Sequence, residues 1–274
     1  MTNLFNYIDR PSPIHRLTGA TKFACLLLWS FAAMVTYDTR MLAAMTLMSL
    51  VLFRLSRLRL TDVRFMMGLT GVFLLINTVM LYVFSPQHGT QVYGTIHVVF
   101  GKGRFALTWE QLFYQFNYIL KFCASIPIVL LFVCTTNPSE FAASLNKLGI
   151  KYSVAYSVAL ALRYIPDVQQ EYHEISQAQQ ARGIEMSKKA SAISRLRSVS
   201  SILIPLILSS MEKVEVISNA MELRSFGKNK KRTWYMGRPF RAADIGAMVF
   251  CGLLVVLALV LNRLNGSRFY NPFL

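Results

Sequence analysis

Five apolar stretches, at 22–37, 41–53, 65–84, 117–134 and 242–261, dominate this sequence and carry almost no ionisable side chains. A helix that crosses the hydrocarbon of a bilayer needs about 20 predominantly apolar residues, and a soluble core of this size has no use for so many. The rest of the composition agrees. Hydrophobic residues make up 54% of the chain and charged residues 15%, against roughly a quarter charged in soluble domains. Yet the formal net charge is +16, so basic residues are concentrated beside and between the apolar runs. The pattern predicts an all-α, polytopic helical membrane protein with about five transmembrane helices. The run at 41–53 is the shortest of them. Two further apolar segments, 152–162 and 202–208, are too short to cross alone and are expected to pack on protein or lie in the interface.

Charge sets the expected orientation. With the N-terminus cytoplasmic, the inner side holds Arg10, Arg16 and Lys22, the cluster Arg54, Arg57, Arg59 and Arg64, and the basic segment 147–241. That is 23 basic residues against 5 outside, so the positive-inside rule chooses this topology, with the C-terminus outside. Lys121 is the basic residue left over. It is expected about one turn into the fourth stretch, with its long stem snorkelling to the headgroups. The organisation read from this is a membrane region over 1–134 with four spans, a cytoplasmic helical region over 135–241, and a final span with a short tail over 242–274.

The chain offers little chemistry of its own. No G-x-x-x-x-G-K-[ST] occurs, so no P-loop for ATP is expected. His15, His88, His97 and His173 are scattered without H-E-x-x-H spacing, and no metal site or catalytic constellation is expected. Cys25, Cys123, Cys134 and Cys251 lie in or at the ends of apolar runs with no C-x-x-C pair, as small buried hydrophobes do. The polar start, with Pro11 and Pro13, has no apolar region followed by a cleavage site, so no cleaved signal peptide is expected. Positive-inside bias and anionic lipid account for the basic charge without nucleic acid.

The information lies in the insert. Asn137, Pro138 and Glu140 start a short helix that Gly149 stops. A longer helix runs from Tyr152 past Pro166 to Arg182 before Gly183, its first half apolar and its second polar. After a basic, serine-rich connector at 186–201, another helix passes Pro205 and reaches Arg224. The two long helices share a plan: Ala178-x-x-Ala181-Arg182-Gly183 and Ala220-x-x-Leu223-Arg224-Ser225. Each arginine stands one turn beyond an alanine, beside a low-profile patch that lets the helix end enter a groove. Arginine also brings a permanent charge and a fixed fork of donors suited to a partner's carboxylate.

These residues resemble the transmembrane T component of energy-coupling-factor (ECF) transporters, prokaryotic importers of vitamins and transition metals. The resemblance covers most of the chain. It is carried by His15-Arg16-Leu17 through Lys22, Thr135-Thr136-Asn137-Pro138, Leu145-x-x-Leu148-Gly149, Leu162-Arg163-Tyr164-Ile165-Pro166, Ile204-Pro205-Leu206 and the two arginine motifs. It implies a non-catalytic membrane subunit that links two ABC-type ATPase subunits, which bind ATP and Mg, to an exchangeable substrate-binding S component. Ala181, Arg182, Gly183, Leu223, Arg224 and Ser225 are then the ATPase-docking residues, supported by Ala178, Ala220, Arg163, Pro166 and Pro205. The second motif departs from Ala-Arg-Gly to Leu-Arg-Ser. Met-rich, apolar 41–48 and 65–69 are candidate surfaces for gripping the S component, with most of their methionines expected to be structural filler. A self-contained secondary carrier and a non-transport membrane scaffold are the alternatives. The first demands polar groups at mid-membrane, and the second gives no reason for two arginine motifs.

Overall fold

The computed structural model describes residues 12–101, 103, 105–184, 192–228, 234, 238–265 and 268–270. It divides into two compact units, one of Met1–Asn137 with Arg238–Leu274 and one of Pro138–Gly237.

The first unit is built on α1 (Gly19–Val35), α2 (Thr39–Leu55), α3 (Leu60–Phe84), a short α4 (His88–Tyr93), the strands β1 (Val98–Phe100) and β2 (Leu107–Thr108), α5 (Trp109–Thr135) and, from the end of the chain, α9 (Ala242–Leu264). Within α3, the stretch Val63–Phe84, together with α5 and α9, is long and apolar enough to cross a membrane. α1 and α2 have 17 residues each, about 26 Å of helix and the lower end of what a crossing needs. The protein is thus an all-α, polytopic membrane protein.

Pairing of α1 with α9 and with α5, and of α2 with α5, makes the core. Trp29, Ala32, Ala33, Met41, Met45, Ala124, Cys251, Leu254 and Ala258 form one buried cluster. Its four alanines let backbones approach closely, which matters where lipid offers no hydrophobic drive between helices. The Trp29 indole N–H donates to the Ala124 carbonyl at 3.0 Å. Pro127, further along α5, has no N–H to give the Cys123 carbonyl one turn back. Met41 and Met45 are therefore core residues, whereas Phe65, Met67 and Leu69 of α3 stay exposed.

Polar residues tie the helix ends. The Lys22 ammonium donates to the Thr135 carbonyl at 2.7 Å, in the negative last turn of α5. Asp244 caps its own helix through the Arg241 N–H at 2.8 Å and also accepts the Thr18 N–H at 2.8 Å. At the opposite end of α1, the Asn262 amide donates to the Val35 carbonyl at 3.2 Å and Asn265 to the Asp38 carboxylate at 3.0 Å.

α5 begins well before the apolar run at 117, capped by Thr108, whose hydroxyl accepts the Gln111 N–H at 3.3 Å. Lys121 consequently lies in the fourth turn of the helix and not its first. Its ammonium donates to the Met34 carbonyl at 2.8 Å and lies 4.0 Å from the centroid of the Tyr37 ring. The orphan carbonyl at the end of α1 and the ring face thus give the ammonium partners at that end of the helices.

The second unit contains α6 (Pro138–Lys147), α7 (Tyr152–Ala181) and α8 (Ala192–Leu223). α6 packs on α7 and α7 on α8. The start of α8 at Ala192 takes in most of the segment read from the sequence as a connector; the remainder of that segment, 186–191, lies outside the described residues.

Candidate functional site

The ends of α7 and α8 are the same structure written in two sequences. At the end of α7, Gly183 takes a positive φ of 87°, its N–H donates to the Gln180 carbonyl at 3.0 Å, and the Ile184 N–H reaches back to the Gln179 carbonyl at 3.1 Å. This is the Schellman arrangement, which satisfies the orphan carbonyls of a terminating helix. At the end of α8, Ser225 takes φ 53°, its N–H donates to Glu222 at 2.8 Å, and the Phe226 N–H reaches back to Met221 at 2.9 Å. Arg182 and Arg224 therefore occupy the same position, the cap residue just before the left-handed turn, with N–H bonds to Ala178 at 3.2 Å and Ala220 at 3.3 Å. The departure to Leu-Arg-Ser keeps the geometry and pays with a non-glycine residue in the left-handed region.

The end of α6 repeats the motif once more. Gly149 has φ 97°, its N–H meets Asn146 at 3.1 Å and the Ile150 N–H meets Leu145 at 3.2 Å. Here no arginine caps the helix; Leu148 does.

Ala178, Ala181, Arg182 and Gly183 are exposed, as are Ala220, Leu223, Arg224 and Ser225. Leu223 is 88% exposed, an unusual state for a leucine that has a helix to pack on. Both tips thus present a small or apolar residue, an arginine and a tight turn. Arg163 is exposed on the outer surface of α7, away from either tip. Pro166 and Pro205 sit inside α7 and α8, and both helices run through them.

The two helices are antiparallel. Gln179 donates to the Ser201 carbonyl at 3.1 Å. Further along, Glu171 receives the Ser209 hydroxyl and, at 2.7 Å, the Lys213 ammonium. At the far end Phe226 packs on Tyr156, with ring centroids 4.6 Å apart, and on Tyr152 at 5.9 Å. Trp234 joins this cluster at 5.2 Å from Tyr152 and donates its indole N–H to Asn146 at 3.2 Å. Arg182 and Arg224 hence mark opposite ends of one helix pair, about 35 Å apart at the helical rise. The motifs were legible in the sequence, but neither their antiparallel placement nor the aromatic cluster behind Arg224 was. The spacing of Tyr152 and Tyr156, one turn apart on one helix face, was the available signal.

The Lys213 ammonium and the Ser209 hydroxyl hold the Glu171 carboxyl below the usual carboxylate range, and Glu171 in turn raises Lys213. Between the helices runs a groove of about 470 Å³ lined by apolar Leu160, Val168, Val214, Ile217 and Met221, with Asp167 at its edge.

Together these observations define a class: a helical membrane protein carrying a separate helical unit whose two long helices end in matched, arginine-capped tips. Residues 10–235 match the family described as cobalt transport protein (CbiQ). The protein named energy-coupling factor transporter transmembrane protein EcfT from Listeria innocua is 27% identical over 267 residues, spanning 92% of this chain and 96% of its own length. Proteins of the same name from Bacillus subtilis and Brevibacillus brevis are 25% and 28% identical, each aligned over 95% of its own length and over 93% and 92% of this chain. The chain belongs to the cobalt transport protein family and is a transmembrane T component of the energy-coupling-factor transporters.

Proposed function

We propose that this chain is the coupling subunit of an ATP-driven importer, linking two ABC-type ATPase subunits to a substrate-binding S component that carries a vitamin or a metal ion. The observation that carries the reading is the pair of identical helix ends at opposite ends of the α7–α8 pair. Two docking tips about 35 Å apart suit two separate ATPase subunits. In each tip the arginine supplies charge-assisted hydrogen bonds to a carboxylate of its ATPase. The low-profile turn, Ala181 with Gly183 or Leu223 with Ser225, fits the groove around that contact. Ala178 and Ala220, one turn back, keep the approach clear, while Arg163, Pro166 and Pro205 support the helices behind it.

ATP and Mg bind in the partner subunits. Closure of the ATPases moves the two tips, and the antiparallel pair, braced by Glu171–Lys213 and by Phe226 on Tyr156, transmits that movement to the S component. Each state of the cycle requires contacts that the other lacks. The unit 138–237 and the N-terminus face the cytoplasm of a prokaryotic cell, as the distribution of basic residues favours.

Co-purification tests the docking. The chain is co-expressed with its ATPase subunits as wild type, Arg182→Ala, Arg224→Ala and the double variant. Loss of ATPase association in the double variant, at unchanged expression and thermal stability, is the expected outcome. Unchanged association and ATP hydrolysis would return both arginines to the role of helix-terminal charges facing their own dipoles.

A further inference from the structure

The connection between α3 and α5 folds into α4 and an antiparallel strand pair in which Val98 faces Thr108 and Phe100 faces Leu107. Every residue of β1 is exposed. Successive side chains of a strand point to opposite faces, so both faces of β1 present apolar groups outward. Phe100 is 80% exposed, Ile96 73% and Phe105 60%, and Val98, Val99 and Trp109 add to the exposed apolar surface of the segment. A two-strand pair with no buried apolar face has little to hold it in water, and a contiguous exposed apolar surface of this kind marks a contact with protein or lipid.

A buried carboxylate ties the segment to α5. The buried Glu110 carboxylate accepts the His97 backbone N–H at 3.0 Å and the Thr95 hydroxyl at 3.1 Å, and lies 2.6 Å from the His97 ring nitrogen. Glu110 alone of this network is buried, the His97 side chain staying 66% exposed, so the network ties the hairpin to α5 while its apolar side chains stay outside.

Two further hydrogen bonds fix the height of the hairpin. The Trp109 N–H, at the start of α5, donates to the His97 carbonyl at 3.1 Å. The Tyr82 hydroxyl, from the last turn of α3, donates to the Phe105 carbonyl at 2.8 Å. Both helices have the length and apolarity to cross a membrane, one ending at Phe84 and the other starting at Trp109. The hairpin is therefore held level with the ends of two crossings, where hydrocarbon gives way to headgroups. Trp109 and Tyr82 are of the aromatic types enriched at that depth.

We infer that this hairpin is an interfacial anchor whose partner is the phospholipid bilayer. Ile96, Val98, Phe100 and Phe105 enter the acyl region just below the headgroups, and the bonds to Tyr82 and Trp109 pass that anchorage to α3 and α5. The anchor sets the height of both helices in the membrane.

Photo-crosslinking of the full chain in nanodiscs of phosphatidylcholine and phosphatidylglycerol tests this. A benzophenone amino acid replaces Phe100 in one preparation, Phe105 in another and Gln91, an exposed polar residue of α4, in a third. All three side chains are exposed, so folding survives the exchange. After irradiation, intact-mass measurement is expected to show phospholipid adducts at Phe100 and Phe105, severalfold above the yield at Gln91. A yield at Phe100 no higher than at Gln91 would overturn the inference, because the hairpin then stands in water. Protein–protein adducts at Phe100 in place of lipid adducts would overturn it equally, assigning the patch to a partner chain.

Discussion

Phe226 closes the turn that follows Arg224 and packs on Tyr156, from the second turn of α7, with ring centroids 4.6 Å apart. One residue therefore terminates α8 and fixes its tip. Phe226→Ala removes the ring but leaves the backbone bond to Met221. It is expected to lower the stability of the α7–α8 pair by about 1–2 kcal/mol, the scale of a partly exposed aromatic contact. Thermal unfolding reads that loss. In co-purification the same variant is expected to weaken ATPase association chiefly through the Arg224 tip, so that adding Arg182→Ala costs more than adding Arg224→Ala.

Ser225 sits at φ 53°, where a side chain costs about 1 kcal/mol and glycine costs nothing. Ser225→Gly is expected to slow amide exchange at the end of α8 without disturbing Arg224. Gly183 at φ 87° has open space around it, so Gly183→Ala fails through backbone strain alone, by a similar about 1 kcal/mol. Equal exchange in Ser225→Gly and wild type would contradict the shared geometry.

The Glu171–Lys213 pair gives the second unit a pH signature. Because the folded carboxyl titrates below its unfolded value of about 4.3, its stabilisation is complete above that value and disappears as pH falls through the lowered one. Lys213 is raised, so its share is present below the unfolded value of about 10.4 and is lost as pH rises through the raised one. Protection factors across α7 and α8, corrected for the intrinsic pH dependence of amide exchange, are expected to fall below about pH 4 in the wild type, and Glu171→Gln should flatten that acid limb.

Gly89 is pressed against the start of α5. A Cβ there would lie 2.6 Å from the Gln111 backbone, and the Gly89 N–H donates to the Gln111 side chain at 2.7 Å. Backbone cannot yield as a side-chain end can, so Gly89→Ala is expected to cost about 1–3 kcal/mol and to displace α4. Thermal unfolding in detergent measures it; a neutral effect would mean that α4 is not seated on α5.

Hydropathy located the membrane helices but started the fourth stretch at Asn117, two turns into α5, because Glu110, Gln111 and Gln115 before it are polar. They and Asn117 are buried, and partners distant in sequence make that tolerable: His97 for Glu110, Gly89 for Gln111 and Thr39 for Asn117. A one-dimensional reading cannot supply such partners. The strand pair escaped because β1 has only three residues, although Gly94 and Gly101 flank a run rich in valine with a closing phenylalanine. In the second unit the local rules sufficed for the helix ends: Gly149 and Gly183 are stops by composition. Ser225 is not one, and only its repeat of the Arg182 motif pointed to a turn there.

Hydrogen–deuterium exchange on the chain with and without its ATPase subunits tests the central claim most directly. Added protection is expected at 178–184 and at 220–227, with Arg182→Ala abolishing it at the first segment only and Arg224→Ala at the second only. Protection at neither segment, or loss at both from either single substitution, would contradict two independent docking tips.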